Sequence, residues 1–181
     1  LSGINAVFYY STSFFQGILG SPVLGTVMVS LVNVIATYVA LKLMDTSSRR
    51  VLILVSSAGM AVSAGIIVFI LHLADVAYNW LALLAVMSFV SFFEIGLGPI
   101  PWLIVAEMFD SKYVATAMSM ACIANWTCNF LVGLLFPYVE QALGKYSFAP
   151  FIVVCVATFV FSYYLLPETQ GKSIDEVSKT V

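Results

Sequence analysis

Long runs of apolar residues alternate with short polar connections along this chain. Six apolar segments cover about residues 1–19, 24–44, 51–73, 79–105, 113–137 and 147–166, and a polar tail covers 167–181. Most of these segments are near the roughly 20 residues that a helix needs to cross a bilayer. Backbone amides in lipid need internal partners, and the segments lack the sustained alternation of barrel strands. The pattern therefore predicts an all-α protein with six transmembrane helices.

Composition places the chain in the lipid bilayer. Of its 181 residues, 62% are hydrophobic and only 9% are charged, and the mean hydropathy is +1.06. Soluble domains have about 25% charged residues, so this chain cannot cover a water-facing surface with polar groups. The net charge is −2 and no basic run is present, so we expect no nucleic-acid partner.

The lysines and arginines predict the orientation in the membrane. When the segments are counted alternately, all but one of these residues fall on the same side, and the exception is Lys145. The positive-inside rule then places the second and fourth connections, the N-terminal end and the C-terminal tail in the cytoplasm. The residues that fall on this side are Lys42, Arg49, Arg50, Lys112, Lys172 and Lys179.

Two further features concern chemistry and completeness. The cysteines Cys122, Cys128 and Cys155 lie inside apolar segments, which argues against disulfides and metal sites. The lone His72 is interpreted as a surface or packing residue, and we expect neither a cofactor nor an enzyme activity. The opening "LSGINAVFYYS" has no methionine, charged leader or signal-peptide pattern, so we expect a fragment with further sequence before Leu1.

Polar residues recur at helical spacing inside the apolar segments. Asn5, Tyr9 and Thr12 share one face of the first segment, and Asn33 lies in a stripe with Thr37 in the second. The fifth segment has Asn125, Trp126 and Asn129. Amides and hydroxyls can glue transmembrane helices together, which is the simpler interpretation of any one of them. Three carboxamides with aromatic neighbours favour a cavity for a neutral, polyhydroxylated ligand instead.

The stretch "FFEIGLGPIPW" (92–102) interrupts the fourth segment. Pro99 and Pro101 each remove a helical hydrogen bond, and Gly96 and Gly98 add backbone freedom. A broken helix at membrane depth is typical of transporters, where the break serves as a gate or ligand contact. Glu94 would cost about 3 kcal/mol if it were charged and faced lipid, so we expect it to point inward, protonated or held by a hydroxyl such as that of Ser91. The alternative is a kink that serves packing alone.

Four motifs carry a resemblance to a known family. The stretches "GINAVFYYSTSFF", "FFEIGLGPIPWLIVAEMF", "NWTCNFLVGLLFPYVEQ" and "PETQGKS" resemble, in this order, the C-terminal half of the sugar porters of the major facilitator superfamily. The similarity is greatest to the facilitative glucose transporters. The resemblance implies that the chain is helices seven to twelve of a twelve-helix transporter, whose N-terminal six-helix half is missing here.

The resemblance also implies a sugar site and its gate. The family's sugar contacts fall on Asn5, Asn33, Phe93, Glu94, Trp102 and Asn125. Tyr9 and Tyr10 match the extracellular gate, and Trp126 and Asn129 match positions close to the sugar cavity. A glutamine pair of the family would precede Leu1.

A cytoplasmic latch between the two halves is implied by the same resemblance. Arg49 and Arg50 match the family's paired arginines, Glu107 matches the acid that partners them, and Glu168 belongs to the tail motif. Asp45, four residues before Arg49, is expected to pair with it if the helix continues. Ser48 replaces the usual glycine and Val114 the usual arginine.

The sequence thus favours a carrier for a monosaccharide that works by alternating access, and we expect a hexose. Two alternatives remain open: a six-helix protein that transports as a dimer, and a sugar receptor that binds without transport. We expect the plasma membrane as the location, with the vacuolar membrane as an alternative.

Overall fold

The computed structural model describes residues 1–15, 22–73 and 79–171, and every regular element within these ranges is helical. A π-helical turn (Phe93–Leu97) joins α4 to α5, and a 3-10 turn (Gly144–Tyr146) lies between α6 and α7. The α-helices in chain order are α1 (Ile4–Phe15), α2 (Pro22–Thr46), α3 (Arg49–Leu73), α4 (Asn79–Phe92), α5 (Ile100–Met108), α6 (Val114–Leu143) and α7 (Ala149–Leu165).

These helices follow the six apolar segments of the sequence. The fourth segment comprises α4, the π turn and α5, which together form an apolar span of 29 residues, Trp80–Met108. Within the described ranges, this span and those of α2, α3 and α6 are long and apolar enough to cross a membrane, and α7 is a shorter apolar helix. The end of the first predicted segment, residues 16–19, lies outside the described residues.

Helix α3 is the centre of the packed core. In the most apolar 18-residue stretch of α3, 44% of the residues are buried, whereas the corresponding stretch of α6 has 17% buried. Met60 and Ile67 of α3 are fully buried in one cluster with Leu83 and Phe89 of α4. Small residues let α4 come close, because a Cβ on Gly59 would lie 2.3 Å from the Phe92 ring. Burial of the other helices is one-sided, so wide apolar faces of α2 and α6 remain exposed.

Helix α6 ends later than the apolar pattern predicts. The predicted segment stops at residue 137, whereas α6 continues through Pro137 to Leu143. The added residues include Glu140 and Gln141, which are exposed. Helical backbone bonds do not depend on apolar side chains, so hydropathy marks the apolar stretch and not the helix end. Gly144 stops the helix with a positive φ of 52°, a conformation that glycine adopts without strain.

Candidate functional site

The helix break that the sequence predicts is present, and it takes the form of a wide turn. The Gly98 amide donates to the Phe93 carbonyl at 2.8 Å, which is a bond across five residues. The Leu97 amide is therefore displaced from that carbonyl, and it donates instead to the Ser56 hydroxyl of α3 at 3.0 Å. Pro99 and Pro101 then start α5, where a missing amide hydrogen costs least.

Gly96 brings the turn into direct contact with α3. A Cβ at this position would lie 2.4 Å from the Leu52 carbonyl oxygen and 2.6 Å from the Ser56 Cβ. Both distances are too short for real atoms, so a glycine is required here by close approach. Gly96, which the sequence predicts to add backbone freedom, therefore allows the turn to pack closely against α3.

Glu94, the acid of the broken helix, is held by neutral donors on α2. The Asn33 amide nitrogen donates to its Oε1 at 2.7 Å, and the Thr37 hydroxyl donates to its Oε2 at 3.2 Å. The inward orientation expected for Glu94 is thus present. Ser91 is not its partner, because the Ser91 hydroxyl donates to the Met87 carbonyl one turn earlier at 2.8 Å. Helical serines often satisfy their hydroxyl in this local way.

A cleft of about 850 Å³ lies between the helices at the level of the break. Such a volume is within the usual range for small-molecule sites. Its walls come from α1, α2, the π turn, α5, α6 and α7. The polar and aromatic residues that line it are Ser2, Asn5, Phe8, Thr37, Phe93, Glu94, Trp102, Asn125, Asn129 and Thr158.

Most of the predicted sugar contacts therefore lie on one cleft. Gly98, Pro99 and Pro101 of the break also line it. Asn33 is connected to it through Glu94, whereas Gly96 faces α3.

Two lining threonines were not among the predicted contacts. Thr37 belongs to the polar stripe of α2, so its spacing had placed it on the same face as Asn33. Thr158 is an isolated hydroxyl on apolar α7, where it donates to the Val154 carbonyl at 2.8 Å. The only feature of the sequence that could have identified Thr158 is its polar side chain within an apolar segment.

The predicted gate tyrosines connect α1 to α6. The Tyr9 hydroxyl donates to Asn129 Oδ1 at 2.8 Å, and the Tyr10 hydroxyl donates to the Gly133 carbonyl at 2.8 Å. Trp126 is not among the residues that line the main cleft. It borders a neighbouring hollow of about 400 Å³ together with Tyr9 and Asn129. Asn129 lines both spaces, so the Tyr9–Asn129 bond lies where they meet.

At the other end of α5, charged groups join α3 to the chain's tail. Arg49 forms an ion pair with Glu107, with Nη2 3.2 Å and Nε 3.3 Å from Oε1. The Thr169 hydroxyl donates to the second oxygen of Glu107, and Arg49 Nη1 donates to the Met44 carbonyl. These contacts fix α5 against the start of α3.

Glu168 caps the N-terminus of α3. Its carboxylate accepts from the backbone amides of Arg49 and Arg50 at 3.0 and 3.3 Å, and from the Ser48 hydroxyl. A carboxylate at a helix N-terminus satisfies free amides and complements the helix dipole. Ser48 is thus part of this cap.

Two of the expected latch residues have other surroundings. Arg50 does not meet Glu107: its Nη2 donates to the Tyr163 carbonyl, and its guanidinium carbon lies 5.8 Å from the Tyr163 ring centre. The expected Asp45–Arg49 pair does not form, because α2 ends at Thr46 and the two residues do not share a helix. Asp45 is exposed and has no ion pair among the described residues.

A family model described as "Sugar (and other) transporter" matches residues 1–180. The chain belongs to the sugar transporter family. It is 44% identical to the mouse protein named "Solute carrier family 2, facilitated glucose transporter member 4" over 98% of this chain and 36% of that protein. Against chicken member 1 of the same group the identity is also 44%, over 98% and 37%.

A solved structure shares the fold. The proton:xylose symporter XylE of the major facilitator superfamily, bound to 6-bromo-6-deoxy-D-glucose, superposes with a TM-score of 0.85 and 26% identity, over 99% of this chain and 39% of that one. The chain therefore spans little more than a third of the length of these relatives. It has the fold of one half of a major facilitator transporter, and it is an integral membrane protein.

Proposed function

We propose that this chain is the C-terminal half of a carrier that moves a monosaccharide across a membrane by alternating access. The observation that carries the proposal is the convergence of Asn5, Glu94, Trp102, Asn125 and Asn129 on one cleft. These groups come from different helices, and a sugar hydroxyl can both donate to and accept from them. Relatives named for glucose and xylose support a hexose or pentose as the ligand.

A second six-helix half supplies the opposite wall of the site in this proposal. Support comes from the relatives, of whose length this chain covers 36–37%. Helix α6 gives further support, because it lines the cleft and also leaves large apolar side chains exposed. The exposed fraction is 69% for Ile123 and 65% for Phe130. The spans of this half would be α1, α2, α3, the broken helix, α6 and α7. Rocking of the two halves would open the cleft to each side in turn.

Two groups of contacts outside the cleft have different roles in the proposed cycle. Tyr9 and Tyr10 act as the extracellular gate, and their hydroxyl bonds to α6 hold it in place. The Arg49–Glu107 pair with Glu168 forms the cytoplasmic latch, which holds the halves together while the site faces outward. The tail is then cytoplasmic, and the plasma membrane is the proposed location.

Uptake into liposomes by the full-length protein tests the function. We expect saturable uptake of D-glucose or D-xylose but not of L-glucose. Asn33→Ala and Trp102→Ala should each raise KM about tenfold, since each removes about 1–2 kcal/mol of hydrogen bonding or stacking. Trp80→Ala, an exposed tryptophan of α4 outside the cleft, is the matched control.

The alternatives are outcomes of the same experiment. Unchanged KM in both variants would contradict the assigned site. Saturable sugar binding without uptake would instead indicate a receptor. Uptake by the isolated chain, accompanied by crosslinked pairs, would indicate a self-sufficient half that dimerises.

A further inference from the structure

The π turn has a consequence for the cleft, because it changes which side chains share a face. Glu94 and Trp102 are eight positions apart, so on an unbroken α-helix, at about 100° per residue, they would point about 80° apart. A turn that accommodates one extra residue reduces the effective separation to seven positions, or about 20°. Both side chains line the same cleft. The wide turn thus aligns the acid with the indole.

The wide turn competes with the regular helix for one hydrogen bond. In a regular α-helix the Leu97 amide would donate to the Phe93 carbonyl, but that carbonyl already accepts from Gly98 at 2.8 Å. An amide left without a partner in lipid costs several kcal/mol. An acceptor on α3 that reaches the displaced Leu97 amide therefore favours the wide turn over the regular helix.

That acceptor is Ser56 of α3. Its side chain is fully buried, and its hydroxyl oxygen lies 3.0 Å from the Leu97 nitrogen. Gly96 permits this approach, since it lets the turn lie against Leu52 and Ser56. Ser56 itself lies outside the cleft, so any effect on the ligand must pass through the turn.

We infer that Ser56 is a positioning residue for the sugar site: its hydroxyl stabilises the π turn and so holds Glu94 and Trp102 on the same cleft. The inference rests on the proposed function for its effect on sugar. Its effect on the backbone is independent of that function.

Ser56→Ala in the full-length transporter tests this, with Ser57→Ala as the matched control. Ser57 is also fully buried on α3, but its hydroxyl donates to carbonyls of its own helix, Ile53 at 2.8 Å and Leu54 at 3.2 Å. Amide hydrogen exchange is followed for the peptide that contains residues 93–99, and KM and maximal rate are measured for D-glucose uptake per folded transporter.

We expect Ser56→Ala to speed exchange of the Leu97 amide about tenfold and to raise KM about tenfold, in line with the loss of one buried partner. The maximal rate should change less than twofold, and Ser57→Ala should leave KM and the 93–99 exchange unchanged. A variant that only misfolds would reduce the amount of folded transporter and leave both KM and the rate per folded transporter unchanged, which would also overturn the inference. Unchanged exchange, or faster exchange with an unchanged KM, would overturn the inference.

A variant that does not fold and a wild type that takes up no sugar are two further outcomes. If Ser56→Ala does not fold, exchange in the wild type decides: a Leu97 amide as protected as the interior of α3 supports the inference, and a rapidly exchanging one overturns it. If the wild type takes up no sugar, the proposed function fails, and the exchange comparison alone decides whether Ser56 holds the turn.

Discussion

Glu94 and Glu107 are two carboxylates of one broken helix, and they have opposite kinds of partner. Glu94 in the cleft accepts from an amide and a hydroxyl of α2, whereas Glu107 accepts from the Arg49 guanidinium and the Thr169 hydroxyl. Each carboxyl oxygen can accept more than one hydrogen bond, so Glu94 can accept from a sugar hydroxyl while Asn33 and Thr37 hold it in place. An ion pair with several added bonds is harder to replace with a neutral ligand. Under the proposed function, we expect the cleft to bind the ligand and the ion pair to respond to movement.

Short α5 connects these two regions. Trp102 near its start lines the cleft, and Glu107 near its end lies in the ion pair. Under the proposed function, this helix of nine residues links the two sites. If this comparison is right, variants at the latch should change mainly rates, and variants at the cleft should change mainly affinity.

Arg49→Ala should have the largest effect on the cycle. It leaves Glu107, whose side chain is 27% exposed, without its cation. Stranding a fully buried charge costs about 3–5 kcal/mol, and partial exposure reduces this, so we expect the maximal uptake rate to fall about tenfold. KM should change less than threefold. Lys112→Ala, which removes an exposed cation outside the ion pair, should change the rate less than twofold. A large KM change in Arg49→Ala at a constant rate would contradict the division of roles.

Thr37→Val should have a smaller effect, and on affinity. It keeps the side-chain shape but removes the hydroxyl that donates to Glu94 Oε2 at 3.2 Å. The same hydroxyl is also 2.8 Å from the Asn33 carbonyl, so its single proton is shared between two acceptors. A loss of about 1 kcal/mol predicts a KM raised about fivefold with little change in rate.

Ser30→Ala is the control for Thr37→Val. Ser30 is an exposed hydroxyl of the same helix, and it donates to the Thr26 carbonyl rather than to Glu94. It should leave KM unchanged. Equal shifts in the two variants would mean that α2 responds to any lost hydroxyl and that Glu94 has no special relation to Thr37.

The sequence predicted features that depend on local chemistry. The prolines and glycines between 96 and 101 predict the break in the helix. Helical spacing predicts inward-facing positions for Asn5, Asn33 and Asn125. Local chemistry alone could not predict partners that are distant in the chain, and the Arg49–Glu107 pair came from the family resemblance. The Leu97 amide meets Ser56, 41 residues away, and Ser48 meets Glu168, 120 residues away.

Two failed predictions concern partners one helical turn away. Ser91 bonds its own backbone, and α2 ends before Arg49, so Asp45 does not pair with it. Hydropathy likewise indicated that the fourth segment is broken, but not that its turn is wide. That form depends on an acceptor from α3.

Sugar protection of a cleft cysteine tests the central claim most directly. Cys128 lines the cleft beside Asn125 and Asn129, while Cys122 on the same helix borders a different hollow with Trp126. The rates at which a small, charged thiol reagent modifies each cysteine in the full-length transporter can be read by peptide mass. We predict that saturating D-glucose slows modification of Cys128 at least fivefold, that Cys122 is unaffected, and that L-glucose protects neither. Equal modification of Cys128 with and without D-glucose would contradict a sugar site in this cleft.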